Sequence, residues 1–191
     1  MATKPGERKT QILQTLAGML EQPQGEKITT AALAAKVGVS EAALYRHFAS
    51  KAQMFEALIE FIEESVFTLV NQITQAERDG RAQAHQMVGM LLGFAEKNPG
   101  MVRVLIGDVL VNEDPRLQSR INQLIDRIDA SLKQALQLPG AGGALPPAVS
   151  AAAAAAALSA FVVGRWHAYA KSGFKRLPQI DWVQQAHLFR L

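Results

Sequence analysis

Tyr45, Arg46, His47 and, one turn further on, Lys51 carry the side chains best suited to chemistry in this chain. A phenol, a guanidinium, an imidazole and an ammonium in one short stretch suit a polyanion with hydrogen-bonding edges, which is duplex DNA. Tyr45 and Lys51 are placed to meet phosphates. Thr29 and Thr30 stand at the start of a helix whose free N–H groups also favour phosphate. Arg46 has the forked donors that read a guanine edge, and Ser40, Ala42 and Ala43 are small enough to approach a thymine methyl. So short a reading helix covers only a few base pairs, so two copies on a pseudo-palindrome are expected.

These residues need a rigid mount, and residues 28–55 supply one. Thr29 or Thr30 caps a first helix whose body is 31–36. Gly38 occupies the turn, where φ > 0 is needed. Ser40 caps a second helix over 41–48, with Glu41 at the positive end of its dipole. Ile28, Leu33, Val37, Val39, Leu44 and Phe48 are spaced to bury together, and Ala34 is small where the two helices approach. Tyr45, Arg46 and His47 then face outward. This is a helix-turn-helix, whose second helix enters the major groove. An ordinary helical hairpin is the alternative. The short turn with apolar flanks (Val37-Gly38-Val39) and the row of aromatic and basic residues weigh against it.

Elsewhere the chain offers no catalytic constellation. His47, His85, His167 and His187 are scattered, without metal-ligand spacing. There is no cysteine, hence no thiol nucleophile, thiolate metal site or disulfide frame, which suits a reducing cytoplasm. Asp126 and Asp129 share a helix face, but such a pair usually belongs to a solvated surface. No enzyme and no cofactor are expected. The first residues lack the apolar core of a secretion signal.

The formal net charge of +3 is placed unevenly. Residues 1–53 hold seven Lys/Arg against four acids, and the remainder sums to zero. The surplus therefore lies with the helix-turn-helix, as phosphate contact requires. A hydrophobic content of 49% with only 6% aromatics, much of it Ala and Leu, favours packed helices. The fold class is all-α, with about nine helices and two cores joined by a shared helix. A polar tail at 1–6 precedes a helix over 8–21, whose apolar stripe should cover the helix-turn-helix. Pro23 and Gly25 mark a loop. The Ser50-Lys51-Ala52-Gln53 run has the form of a capping box. It opens a helix over 51–76, about 39 Å long at ~1.5 Å per residue. Residues 1–50 thus form a DNA-binding domain, and 51–191 a larger helical regulatory and dimerisation domain.

Further helices are expected over 82–97, 101–111 and 115–136, the last with a solvated charged face. The Gly/Pro-rich stretch 138–147 reads as a flexible loop, with Pro146 and Pro147 in the first turn of a final long helix. Its Ala run, up to Arg165, is at the short edge of a membrane span and supplies little transfer energy. Close packing between subunits is the better account of so much Ala. A short last helix lies within 180–191.

The segment ITTAALAAKVGVSEAALYRHFASKAQMF resembles the DNA-binding domain of the TetR family of regulators. EALIEFIEESV, LLGFAEKNPGMVRVLIGDVLV, DPRLQSRINQLIDRI and YAKSGFKRLP resemble that family's nucleoid occlusion branch. The resemblance implies a TetR-like homodimer, nucleoid-associated in the cytoplasm. Bound to palindromic chromosomal sites, it would antagonise assembly of the division protein FtsZ and keep the septum from closing over the chromosome. It also implies a groove for the FtsZ C-terminal tail at Phe61, Met90, Gly93, Lys97 and Asn98. There Gly93 would open the groove, Phe61 and Met90 line it, and Lys97 meet an acidic peptide. Leu69 stands where the resemblance leads one to expect a basic residue. The alternative is a ligand-responsive repressor, which requires a roomy cavity among residues 58–70, 87–94 and 105–110.

Overall fold

The computed structural model describes residues 5–22, 28–140, 145, 146 and 148–190, with the side chains of Pro5 and Gly6 left aside. Among these residues the chain forms nine α-helices and one short 3₁₀ turn, with no strand. They are α1 (Pro5–Leu20), α2 (Thr30–Val37), α3 (Glu41–Tyr45), α4 (Lys51–Ala76), α5 (Gly80–Lys97), α6 (Pro99–Leu105), α7 (Pro115–Gln137), α8 (Ala151–Lys171) and α9 (Trp182–Ala186). Most of the arm at 1–6, the loop around Pro23 and Gly25, and the centre of the Gly/Pro stretch lie outside the described residues.

Local chemistry sets the helix starts. Thr29 accepts from the Ala32 N–H at 3.1 Å and Ser40 from the Ala43 N–H at 3.2 Å. At α4, Ser50 accepts from the Gln53 N–H at 3.1 Å, while the Gln53 amide oxygen reaches back to the Ala49 N–H at 2.8 Å. Each bond satisfies a donor that the helix leaves free. Gly38 ends α2 in the left-handed region, φ +78°, and the Val39 N–H then closes onto the Ala34 carbonyl at 3.0 Å.

Several boundaries depart from the sequence expectation, α1 beginning at Pro5 rather than 8, α5 at Gly80 rather than 82 and α6 at Pro99 rather than 101 among them. Helix α3 stops at Tyr45 rather than Phe48, and residues 46 and 47 form a turn. Helix α6 stops at Leu105 rather than 111, and 106–112 run as tight turns with positive φ at Gly107 and Asn112. Helix α8 starts at Ala151 under a Ser150 cap, because the Val149 N–H bonds back to Pro146 in a turn.

Burial follows helical spacing. Ile12, Leu16 and Leu20 of α1 cover Leu33, Val37, Leu44 and Phe48, completing a three-helix unit. Ile28 and Val39 are only partly buried beside it. Helix α4 carries Met54, Phe55, Leu58, Ile59, Ile62, Val66 and Val70 into the interior, and its last turns beyond Val70 bury none. The buried apolar side chains make one contiguous cluster rather than two cores. The extra link is α1 against α6: at Gly100 the two backbones lie so close that a Cβ would sit 2.0 Å from the Ala17 carbonyl oxygen.

Helices α7 and α8 pack together most extensively. The charged face of α7 is not wholly solvated. Arg120 donates to Glu63 of α4 at 2.7 Å, and the Arg127 guanidinium lies over the Phe67 ring at 3.9 Å. Asp129 accepts from the Ser159 hydroxyl at 3.1 Å. Outward from α8, Ala152, Ala153, Ala156, Ala157, Ala160 and Gly164 form an exposed face of small residues. Among the described residues no helix is long and apolar enough to cross a membrane.

Candidate nucleic-acid interface and the α4–α5 groove

The helix-turn-helix presents its polar residues on one side because Leu44 and Phe48 point inward. Ser40, Ala42, Tyr45 and Arg46 are exposed, while Ala43 and His47 are half-buried. Two of the candidates are already bonded to each other's neighbourhood. The Thr30 hydroxyl donates to Glu41 at 2.7 Å and accepts from the Tyr45 hydroxyl at 3.4 Å. This bridge fixes Tyr45, at the end of α3, to the start of α2. Thr29 uses its oxygen as the α2 cap, which leaves its exposed side at the surface. Arg46 follows the last turn of α3 in helical conformation, so its exposed side chain continues the face that Ala42 begins.

Lys51 is placed differently from the rest. Its stem runs toward Phe55, with the ammonium 5.6 Å from the ring centroid, and its charge is paired with Glu113 of the segment between α6 and α7. The two side chains keep only 22% and 15% of their exposure. The ammonium expected to meet phosphate is thus turned to a carboxylate. Sequence spacing carries no sign of this, because the partners are 62 residues apart.

A second surface lies where α5 runs back along α4. Phe61 is 44% exposed, Met90, Gly93 and Asn98 are half-buried, and Lys97 is exposed. Met90, Gly93 and Lys97 recur at three- and four-residue spacing and so share one face of α5, while Phe61 lies on α4. Only Met90 lines the hollow along the α4–α5 seam, with Leu69, Ile73, Gly89, His85 and Trp182. Phe61, Gly93, Lys97 and Asn98 do not line it, and the Asn98 amide is spent on the Phe94 carbonyl at 2.8 Å. The space beside Gly93 is not open, because the Gln179 side chain fills it. A Cβ at 93 would stand 2.8 Å from the Gln179 amide nitrogen, which itself donates to the Gly89 carbonyl at 2.8 Å.

Gln179, Trp182 and His85 were not foreseen as part of this seam. Trp182 stacks on His85 with centroids 5.3 Å apart. The segment between α8 and α9, which brings Gln179 and Trp182 here, is held by Arg165, which donates to the carbonyls of Pro178 and Ile180, and by Glu96, which accepts from the Gln179 N–H at 2.7 Å. A Trp in a short terminal helix was the only signal available beforehand. The interior between residues 58–70 and 87–94 is occupied. Leu58, Ile59, Ile62, Val66, Met87, Val88, Leu91 and Leu92 fill it at 1% exposure or less. Beside Asp108 and Val109 of the 105–110 segment, in contrast, lies a cleft of about 500 Å³.

Comparison with known proteins agrees with both halves. Residues 25–58 match the model of the bacterial regulatory proteins of the tetR family, and 78–190 match a SlmA-like model described as a tetracyclin repressor-like C-terminal domain. Among curated proteins, the nucleoid occlusion factor SlmA of Marinomonas sp. (strain MWYL1) is 51% identical over 97% of this chain and 94% of its own. That of Alteromonas mediterranea is 47% identical over 99% and 97%. Among solved structures, the MbdR regulator from Azoarcus sp. CIB superposes with a TM-score of 0.78 over 95% of this chain and 96% of its own, at 13% identity, a likeness of fold alone. With a helix-turn-helix capped as this one is and relatives matching from end to end, the chain belongs to the TetR family of non-enzymatic DNA-binding regulators, in its SlmA-like branch.

Proposed function

We propose that this protein is a nucleoid occlusion factor: a homodimer that binds pseudo-palindromic chromosomal sites and, when bound, antagonises FtsZ assembly so that no septum forms over the nucleoid. The observation that carries this reading is the likeness to SlmA proteins across 78–190, outside the helix-turn-helix that all TetR-type regulators share. Thr29, Thr30, Tyr45 and Lys51 contact phosphates; Arg46 reads a base edge, with Ser40, Ala42 or Ala43 near a thymine methyl and His47 completing the DNA-binding set. The exposed small-residue face of α8 suits close approach of a second copy, which doubles the few base pairs one α3 can read.

The FtsZ tail docks on the α4–α5 seam. Phe61 and Met90 supply apolar contact, Lys97 meets an acidic side chain, and Gly93 and Asn98 border the path once Gln179 yields its place. Leu69, 37% exposed beside Met90, makes this end of the seam apolar. A ligand-responsive repressor would need a cavity where Leu58, Ile62, Met87 and Leu91 are packed.

The test is a titration of DNA-bound protein with a labelled peptide of the FtsZ C-terminal tail. Met90→Lys places a charge in the apolar hollow and is expected to weaken binding at least about tenfold, while leaving DNA affinity unchanged. Equal peptide affinity for the variant moves the site off this seam, and no binding by the parent protein removes the FtsZ reading.

A further inference from the structure

We propose that Glu113 is a built-in competitor for Lys51: its carboxylate and a DNA phosphate contend for one ammonium, and the exchange carries DNA binding into the segment that joins α6 to α7. Three observations support this. Lys51 is the first residue of α4, immediately beyond the helix-turn-helix and its Ser50 cap, where a basic side chain can reach the DNA backbone. Yet its ammonium is held by Glu113 with both side chains largely covered, so the contact is not a loose surface pair. The backbone carrying Glu113 is fixed on both sides. Its N–H donates to the Leu110 carbonyl at 3.0 Å, and the next residue, Asp114, caps α7 through the Arg116 N–H at 3.0 Å.

Glu113 therefore cannot follow Lys51 far toward DNA. When phosphate takes the ammonium, a half-buried carboxylate loses its partner, and such a group must either reach water or shift its neighbours. Space for the move lies alongside. A cleft of about 500 Å³ between the DNA-binding helices and the α6–α7 segment is lined by Lys51, Glu113, Lys36, Arg103 and Val111. By reciprocity, whatever loosens Glu113 from Lys51 favours DNA, and DNA loosens the 106–114 segment. In this respect Glu113 is a positioning residue for DNA contact, acting through Lys51. The inference rests on DNA binding by the helix-turn-helix, not on the FtsZ reading.

The experiment is a double-mutant cycle of affinity for a short duplex selected from a random pool by the parent protein. Glu113→Asp keeps the charge but withdraws it by one methylene. Glu113→Gln removes the charge and keeps the shape. Both are expected to bind the duplex about fivefold more tightly, the size expected when a partly buried ion pair stops competing. In a Lys51→Met background both gains should fall below about twofold. Hydrogen exchange of residues 106–114 should quicken in the parent protein on adding the duplex, and be quick already in both variants.

A gain from Glu113→Gln that persists in Lys51→Met, with none from Glu113→Asp, means only long-range repulsion of DNA and overturns the proposal. Weaker DNA binding by folded Glu113→Asp overturns it too, because Glu113 would then be holding Lys51 in its DNA-contacting pose. Circular dichroism of each variant separates these results from misfolding.

Discussion

Changing Gly100 to alanine attacks the seam between the DNA-binding helices and the rest of the molecule with one methyl group. The new Cβ would lie 2.0 Å from the Ala17 carbonyl oxygen, 2.9 Å from its carbon and 3.2 Å from Glu21 Cγ. Real Cβ atoms essentially never come within 3.0 Å of a heavy atom, so α1 and α6 must part by about 1 Å. The blocking atoms are backbone, which has no rotamer to yield. Overpacking of this kind costs about 1–3 kcal/mol, and a rigid neighbour puts it near the top of that range. Alanine returns up to about 1 kcal/mol of helix propensity. The net loss is about 2 kcal/mol, or about 4–8 °C in Tm for a chain of this size. Gly18, one residue from Ala17 in the last turn of α1, meets nothing within 4 Å, so Gly18→Ala gains propensity without the clash. Its Tm should rise by about 2–4 °C. Thermal unfolding by circular dichroism of the two variants beside the parent protein reads both. Equal shifts of the same sign would refute the close approach of α1 and α6 on which the single contiguous core rests.

Three further outcomes are expected. Arg46→Ala should relax sequence preference, narrowing the gap between selected and random duplexes by about 1–3 kcal/mol, whereas Lys51→Ala should weaken all duplexes about equally and lower the salt slope by roughly one; sequence-blind loss for both would remove Arg46 from base reading. Ala156→Arg puts a long charged side chain on the small-residue face of α8 and should leave a folded monomer by sedimentation, with sharply weaker DNA binding; an unchanged dimer would place the interface elsewhere. The Asp114 carboxyl is held down from 3.8 to about 2, first by the Arg116 side chain and then by its backbone N–H. A depressed folded-state pKa means stability that is complete above the unfolded value and is lost as pH falls from 3.8 toward about 2. An NMR titration of Asp114 should therefore find its midpoint near 2, and Arg116→Ala should raise it; a midpoint near 3.8 in the parent protein contradicts the cap geometry.

What the sequence made legible was local. Ser40, Ser50 with Gln53, and Gly38 announce their caps and turn because the partner groups lie within four residues. The outward face of Tyr45 and Arg46 follows from the burial of Leu44 and Phe48, which spacing alone predicts. Misplaced boundaries have local competitors behind them. Ser150 won the start of α8 from Pro146, and Gly107 with Asn112 turned the expected end of α6 into tight turns. The candidate sites were less legible, because their decisive contacts are distant in sequence. Lys51 reads as a free cation until Glu113 is brought to it, and Gly93 reads as an open notch until Gln179 fills it. Helical spacing placed Arg127 on a solvated face, where it is indeed exposed, but gave no sign that its guanidinium lies over Phe67 of α4.

The proposed DNA contact and the α4–α5 seam share one helix, α4, whose apolar face is buried from Met54 to Val70. A protein built this way can make its action on a partner depend on being bound to DNA. The direct measurement is sedimentation of FtsZ polymers with this protein, with and without its selected duplex. Loss of polymer that is strong with duplex and weak without it is the predicted result. Polymer levels that ignore the duplex, or ignore the protein altogether, would contradict the account.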